Sequence, residues 1–226
     1  MSNRPLLIII VIVLLAIGLA KFASSIHPGG DLPPADKQAE EDRQKFEDAK
    51  KEHDARHAKV DHSPDAFDKV KEGAVHITLE VEGRGKVMLE LYPKAAPKTV
   101  AQITDLIKQK FYDGIKIHRI ATSPAVIQFG DPHSKEVEPE KFEAEKIGSG
   151  GSGHMIPLEV LLPHVKYSIG MARAEAVDSG DSQIYINTEA NPFLDGDYCV
   201  FGRVTSGMEI LPSIKLGDKI KSMVVN

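Results

Sequence analysis

Between Val75 and Leu91 the chain alternates apolar and polar residues with a period of two. Val75, Ile77, Leu79 and Val81 are separated by His76, Thr78 and Glu80, and after Glu82-Gly83-Arg84-Gly85 the alternation resumes with Val87, Leu89 and Leu91. Successive side chains of a strand point to opposite faces, so this stretch is a hairpin with one buried face that other elements must cover. Pro93 ends it, and Pro97 opens a helix whose stripe is Val100, Ile103, Leu106 and Ile107, running to about Lys110. Asp113-Gly114 turns the chain into a strand at Ile117-His118-Arg119-Ile120. Further short strands are read at Tyr167 to Ala172, Gln183 to Asn187 and Cys199 to Val204, the last after a turn at Phe193-Leu194-Asp195-Gly196-Asp197. Gly207 to Ile214 reads as a short amphipathic helix and Ile220 to Val225 as a closing strand. Many short strands with few helices point to an all-β barrel or sandwich plugged at its ends.

The 226 residues, 42% of them hydrophobic, suffice for one core with residues left over for an anchor and a tether. A net charge of −5 and a pI near 6.0 argue against a nucleic-acid-binding surface, which is usually basic. The lone Cys199 excludes an intramolecular disulfide and a cysteine-based zinc site, and in Tyr198-Cys199-Val200-Phe201 it reads as a small buried hydrophobe.

Leu6 to Ala20 is an uninterrupted apolar run between Arg4 and Lys21, short for a hydrocarbon core of about 30 Å unless Lys21 snorkels and Phe22 and Ala23 extend it. Ala23-Ser24-Ser25 is a mediocre cleavage site, so residues 1–25 are expected to be a retained signal-anchor that meets the membrane through residues 5–23. The charge of Arg4 and the amino terminus would keep the N-terminus cytoplasmic and put the remainder outside; cleavage would instead release it as a secreted protein. Residues 26–70 are expected to be a charged linker. From Ala35 to about His62 it has almost no apolar residues, and Glu41 with Lys45, Glu47 with Lys51 and Glu52 with Arg56 are spaced to support a solvated helix. His53 and His57 share the i, i+4 spacing that metal sites use, but the sequence fixes no third ligand, and no metal is assigned. The remaining residues, 71–226, form the expected domain.

In Ile117-His118-Arg119-Ile120, Arg119 lies in a stretch bounded by branched apolar residues, where a charge is costly unless it faces solvent or is held for a purpose. Gln128 and Gly130-Asp131 follow it. Together with Ala96-Pro97-Lys98-Thr99-Val100, Phe111-Tyr112-Asp113-Gly114, Gly170-Met171-Ala172-Arg173, Ser182-Gln183-Ile184-Tyr185-Ile186, Phe193-Leu194-Asp195-Gly196 and Val200-Phe201-Gly202, the stretch from Val75 to Asn226 resembles the cyclophilin-type peptidyl-prolyl isomerases, in the form seen in their bacterial branch. The resemblance implies a closed eight-stranded antiparallel barrel capped by two helices; the expected transmembrane helix and the charged linker, whose ion pairs are spaced for a helix, precede it. It implies no cofactor, and as partners proline-containing peptides or unfolded protein clients bound by a monomer. Arg119 would be the catalytic residue, stabilising the twisted X-Pro amide. Gln128 would hold the substrate backbone and the arginine, Ala172 would line the groove, and Tyr185 would floor the proline pocket beside Phe193, Leu194 and Tyr198. Gln183, Arg173, Ala125 and Val126 complete the implied substrate-binding set.

Departures from the family pattern lie in the expected loop Ile120 to Ile127, where Ala125 and Val126 stand in place of a pocket Phe and Met, and at Phe129, which replaces a glycine. They point to a reshaped pocket. Two functions follow: an extracytoplasmic isomerase that assists folding, on the periplasmic or cell-surface side, or a membrane-tethered peptide-binding module that has lost turnover. The polar insertion from His133 to Lys146 and the run Gly148-Ser149-Gly150-Gly151-Ser152-Gly153 follow Asp131; no Lys-Ser/Thr pair makes the run a phosphate loop, and it is expected to be mobile.

Overall fold

The computed structural model of the protein describes residues 35–226. The expected signal-anchor lies outside them, and among the described residues no helix is long and apolar enough to cross a membrane. The chain divides into two compact units, Met1–Asp48 and Ala49–Asn226. Helix α1 (Ala35–His57) begins in the first unit, where its residues 39–48 are exposed, as a sequence without an apolar stripe requires.

The second unit is built on one antiparallel sheet of eight strands. These are β1 (Val75–Val81), β2 (Gly85–Leu91), β3 (Arg119–Thr122), β4 (Ala125–Phe129), β5 (Ser168–Met171), β6 (Ile184–Asn187), β7 (Val200–Ser206) and β8 (Ile220–Val225), in the spatial order β3-β4-β6-β5-β7-β2-β1-β8. The alternation that marks β1 and β2 places Ile77, Leu79, Val81, Val87, Leu89 and Leu91 on the inner face, each no more than 1% exposed. Helix α3 (Pro97–Lys108) covers that face with Val100, Ile103, Leu106 and Ile107, all in the same apolar core.

The sheet curls into a half-barrel and not the expected closed barrel. No ladder joins β3 to β8, because the chain ahead of the four-residue β3 pairs with the turn before β8 and not with its length. Lys116 and Lys219 make an isolated bridge there, and the Ile117 and Gly217 amides donate to the Asp218 and Ile117 carbonyls at 2.8 Å each. Residues 120–127, expected as a loop, instead form most of the β3–β4 hairpin, with the Ser123–Pro124 peptide cis at its turn. Ala125-Val126-Ile127 lacks the alternation that marks a half-buried strand because β4 is covered on both faces: Val126 is 1% and Ile127 2% exposed. Met208–Ser213, within the expected amphipathic helix, is a 3₁₀ helix containing Pro212, which has no N–H to extend an α ladder.

The outer face has its own cover. Helix α2 (Ala66–Lys69) brings Ala66, Phe67 and Val70 against Tyr92, Ala95, Leu162 and Val200, with the Phe67 ring edge-on to Tyr92 at 5.9 Å. Beneath this cluster Glu90, 3% exposed, accepts from the Tyr92 hydroxyl at 2.7 Å. Sequence around 60–70 read as linker because its apolar residues are few and widely spaced; Val60, Ala66, Phe67 and Val70 are nonetheless buried. Phe67→Ala should lower the unfolding free energy by about 3 kcal/mol, read as a lower urea midpoint at unchanged slope. An unchanged midpoint would place residues 60–70 outside the cooperative unit.

Candidate active site

Pairing register assembles the site. In an antiparallel sheet, directly opposed residues share a face. Arg119 opposes Gln128, Gln128 opposes Tyr185, and Tyr185 opposes Gly170, so the four form one row across β3, β4, β6 and β5. Their neighbours Ile127, Phe129, Ile184, Ile186, Ile169 and Met171 belong to the inner core, which puts the row on the outer face. Arg119 is exposed at its end. Gly170 matters by its missing side chain, since a Cβ there would overlap the Tyr185 ring.

A chain of side-chain hydrogen bonds runs along the row and past it. Arg119 Nη1 donates to Gln128 Oε1 at 3.0 Å, Gln128 Nε2 donates to Gln183 Oε1 at 2.9 Å, and Gln183 Nε2 donates to the carbonyls of Gly148 and Gly150 at 2.9 and 2.7 Å. Both ends have fixed polarity, because a guanidinium only donates and a backbone carbonyl only accepts. The two amides can therefore satisfy the chain in one orientation only, and Arg119 is held by a network with no alternative pattern.

The far anchor is Asp131, a fully buried carboxylate that the sequence left without a role. It accepts from the amides of Gly148 at 2.7 Å, Gly150 at 2.9 Å and His133 at 2.9 Å. Asp181 does the same for the next residues, accepting from the amides of Ser152 and Gly153 at 2.8 and 2.9 Å. The glycine run, expected to be mobile, is thus stapled by two carboxylates, and glycine there brings backbone amides close to them. It lies over His118, whose ring nitrogens are buried with no hydrogen-bond partner among the described residues; burial lowers that imidazole below its usual 6.5. The insertion is pinned as well, with Phe142 6% exposed and the buried Lys116 donating to the Val137 carbonyl at 2.7 Å.

Tyr185 is 4% exposed, and burial raises its hydroxyl well above 10. The hydroxyl meets His164 Nε2 at 2.8 Å, and His164 Nδ1 meets Asp195 Oδ1 at 2.7 Å. A carboxylate accepts only, so in the neutral ring Nδ1 carries the proton and Nε2 accepts from Tyr185. His164 and Asp195 were missed: they stand 31 residues apart, and Asp195 reads as an ordinary turn residue. Tyr198 lies edge-on to Tyr185 at 6.4 Å, and the Arg173 guanidinium sits 4.7 Å over the Tyr198 ring while its Nε donates to the Asp197 carbonyl at 2.8 Å. Phe193, 60% exposed, and Leu194, half-buried, stand on the 3₁₀ helix Pro192–Leu194.

The remaining predicted residues fall nearby in the sheet. Ala172 donates its amide to the Gln183 carbonyl at 2.9 Å. Ala125 exchanges backbone hydrogen bonds with the Asn191 side chain, and Val126 is buried on the face of Gln128. Phe129 is the correction: it is fully buried in the inner core, edge-on to Tyr112 at 6.2 Å, so its presence in place of a glycine does not reshape an outer pocket. Cys199 is a buried thiol pushed up to about 12 by burial, in keeping with a packing role.

The sequence profile of the family described as "Cyclophilin type peptidyl-prolyl cis-trans isomerase/CLD" matches residues 76–225. The chain belongs to this family of cyclophilin-type peptidyl-prolyl cis-trans isomerases. It is similar to the probable peptidyl-prolyl cis-trans isomerase of Brucella suis biovar 1 (strain 1330), 38% identical over 143 residues that cover 62% of this chain and 72% of that one. It is also similar to peptidyl-prolyl cis-trans isomerase B of Bacillus subtilis (strain 168), 37% identical over 147 residues covering 64% and 94%. Among solved structures, a cyclophilin type peptidyl-prolyl cis-trans isomerase of Cryptosporidium parvum shares the fold with a TM-score of 0.58 at 22% identity, over 68% of this chain and 98% of that one. The same protein in the presence of the dipeptide Ala-Pro gives 0.57, over 67% and 98%.

Asp131 makes the site's stability depend on pH. Burial draws its carboxyl upward, and the amides of Gly150, Gly148 and His133 more than offset this, so the folded value lies below 3.8. A depressed carboxyl stabilises the fold fully above its unfolded value and ceases to do so as pH falls through the folded value. Wild-type protein should therefore lose unfolding free energy on acidification below about pH 4, and Asp131→Asn should be less stable at pH 7 by about 1 to 3 kcal/mol with a flatter acid limb. Denaturant midpoints across pH check both; identical acid limbs would remove Asp131 from the account.

Proposed function

We propose that this chain is a peptidyl-prolyl cis-trans isomerase in which Arg119 stabilises the twisted X-Pro amide. The observation that carries this reading is the hydrogen-bond chain from the glycine loop through Gln183 and Gln128 to an exposed arginine. It holds a cation at a sheet surface and leaves that cation's remaining donors free for a ligand.

An X-Pro bond rotates slowly because the C–N bond is partly double, with a barrier of about 20 kcal/mol. Twisting breaks the conjugation and concentrates electron density at the prolyl nitrogen, where a guanidinium N–H can donate. That hydrogen bond is stronger in the twisted state than in either planar ground state, so it lowers the barrier in both directions without any covalent step. Gln128 and Gln183 keep the guanidinium from reorganising during the rotation. Tyr185, Phe193, Leu194 and Tyr198 supply an apolar and aromatic groove for a ring that has no N–H to satisfy, with Ala172 and Val126 as small neighbours, Ala125 at the strand end and Arg173 at the rim. The solved structure of a relative in the presence of Ala-Pro supports a proline-containing peptide as the ligand class.

Arg119→Ala should lower kcat/KM by ten-fold or more, since a charge-assisted hydrogen bond made mainly in the transition state contributes about 1.5 to 3 kcal/mol. Peptide affinity should fall less. Arg119→Lys should rescue poorly, because an ammonium does not reproduce the planar fork. A wild-type domain that binds Pro-containing peptides without accelerating their isomerisation would establish the tethered binding module in its place.

The charge pattern around Leu6 to Ala20 supports an orientation with the domain outside the cytoplasm, on the periplasmic or cell-surface side, and the poor cleavage site at Ala23-Ser24-Ser25 supports a retained anchor; there the domain is proposed to act on unfolded clients as a monomer of the bacterial branch. Cell fractionation should then find intact chain in the membrane pellet, released by detergent and not by high salt. A soluble species beginning near Ser25 would show cleavage instead.

A further inference from the structure

His53 and His57, one helical turn apart on α1, lacked a third ligand in the sequence. The fold supplies one from 140 residues away in the turn after Leu194. His53 Nε2 lies 3.4 Å and His57 Nε2 3.8 Å from Asp197 Oδ2, and the three ligand atoms all fall within 4.8 Å of one another. All three residues belong to the unit Ala49–Asn226. Two imidazoles and a carboxylate arranged around one tetrahedral ion at bond lengths of about 2.0 to 2.2 Å would stand about 3.3 Å apart, so closing the cluster brings the ligand atoms, now within 4.8 Å, nearer by at most about 1.5 Å for any pair.

Two further observations favour a cation over a simple ion pair. His57 Nε2 is buried with no hydrogen-bond partner among the described residues, and 3.8 Å is too long for one to Asp197. The other ring nitrogen of His53, Nδ1, lies 3.4 Å from Asp54 Oδ1, which is the outer carboxylate that metal-bound histidines commonly use to fix their orientation. Arg56 pairs with the opposite oxygen, Asp197 Oδ1, at 3.4 Å and donates to the Gly196 carbonyl at 3.2 Å; it leaves Oδ2 facing the histidines, and its positive charge is a repulsion that the three ligands must outweigh. Gly196 has φ +78° and a Cβ there would strike the His57 ring, so the turn is shaped to let the helix end approach.

We propose that His53, His57 and Asp197 bind a divalent transition-metal ion of the zinc class. The ion fastens the end of α1 to the turn that carries Phe193, Leu194 and Tyr198. Imidazole nitrogen with one carboxylate selects such ions over calcium or magnesium, which take oxygen ligands, and three protein ligands leave a fourth position for water. The site reaches the groove through Asp197 itself, whose carbonyl is held by Arg173 and whose successor, Tyr198, packs on Tyr185.

Titration of the full-length, tag-free chain with Zn²⁺ by isothermal calorimetry tests this. One ion per chain should bind with micromolar or tighter affinity, and amide exchange over residues 49–57 should slow on addition of Zn²⁺. His53→Gln, His57→Gln and Asp197→Asn should each weaken binding by at least about ten-fold, whereas His154→Gln, at an exposed histidine outside the cluster, should leave it unchanged. Circular dichroism melts identify any variant that fails to fold, and the near-isosteric Asp197→Asn, which retains the backbone carbonyl that Arg173 uses, then decides. Absence of a one-to-one site, or binding indifferent to all three substitutions, overturns the proposal; binding without slower exchange overturns the fastening role. Because the readouts are metal binding and exchange, either result is separate from the outcome of the isomerase assay.

Discussion

The hydrogen-bonded register of β3, β4, β6 and β5 places Arg119, Gln128, Tyr185 and Gly170 side by side on the outer face. Because side chains alternate with period two, a slip of one residue would turn Arg119 toward the apolar interior and bring Phe129 out of it. Burial of Ile127, Phe129, Ile184, Ile186, Ile169 and Met171 on the other face opposes that slip along β4, β6 and β5, and β3 is held to this register by its pairing with β4. The inner core and the outer site are thus two consequences of one pairing pattern. A residue on one face cannot be shifted along its strand without displacing its neighbours on the other.

Position on the face does not by itself hold a guanidinium still. That comes from the polar chain behind it, whose orientation is fixed by a donor-only end at Arg119 and acceptor-only carbonyls at Gly148 and Gly150. Asp131 and Asp181 stabilise those carbonyls indirectly, by binding the amides of the same loop. A glycine-rich segment is entropically expensive to order, and two carboxylates that gather its amides supply the compensating interactions. On the other side, the Tyr185–His164–Asp195 chain fixes the aromatic ring with a hydroxyl that a phenylalanine would not have.

The unit also extends beyond the family match, which begins at residue 76. Phe67 and its neighbours cover Tyr92 and Val200, and the end of α1 meets the turn at Gly196 and Asp197. That turn is shared: its first residues present Phe193 and Leu194, its middle holds the buried Asp195 beneath Tyr185, and its end faces the two histidines of α1.

What the sequence determined by itself was local or periodic. Alternation marked β1 and β2, the apolar stripe marked α3, and the ordered motifs around Arg119, Gln128, Gln183 and Tyr185 identified the family and the principal site residues. What it could not determine depended on contacts between distant segments. β4 was not read as a strand because both its faces are covered, which removes the alternation. Closure to a full barrel was expected, but the pairing of residues 114–117 with 217–220 left β3 and β8 unladdered. His164 lay in no motif, and Asp131 and Asp195, though inside motifs, had no legible role, since a buried polar residue is recognised by its partners, and the Gly148 amide and His164 that define these two lie 17 and 31 residues away. The histidine pair on α1 lacked its third ligand for the same reason: only the folded chain brings Asp197 across 140 residues to face them.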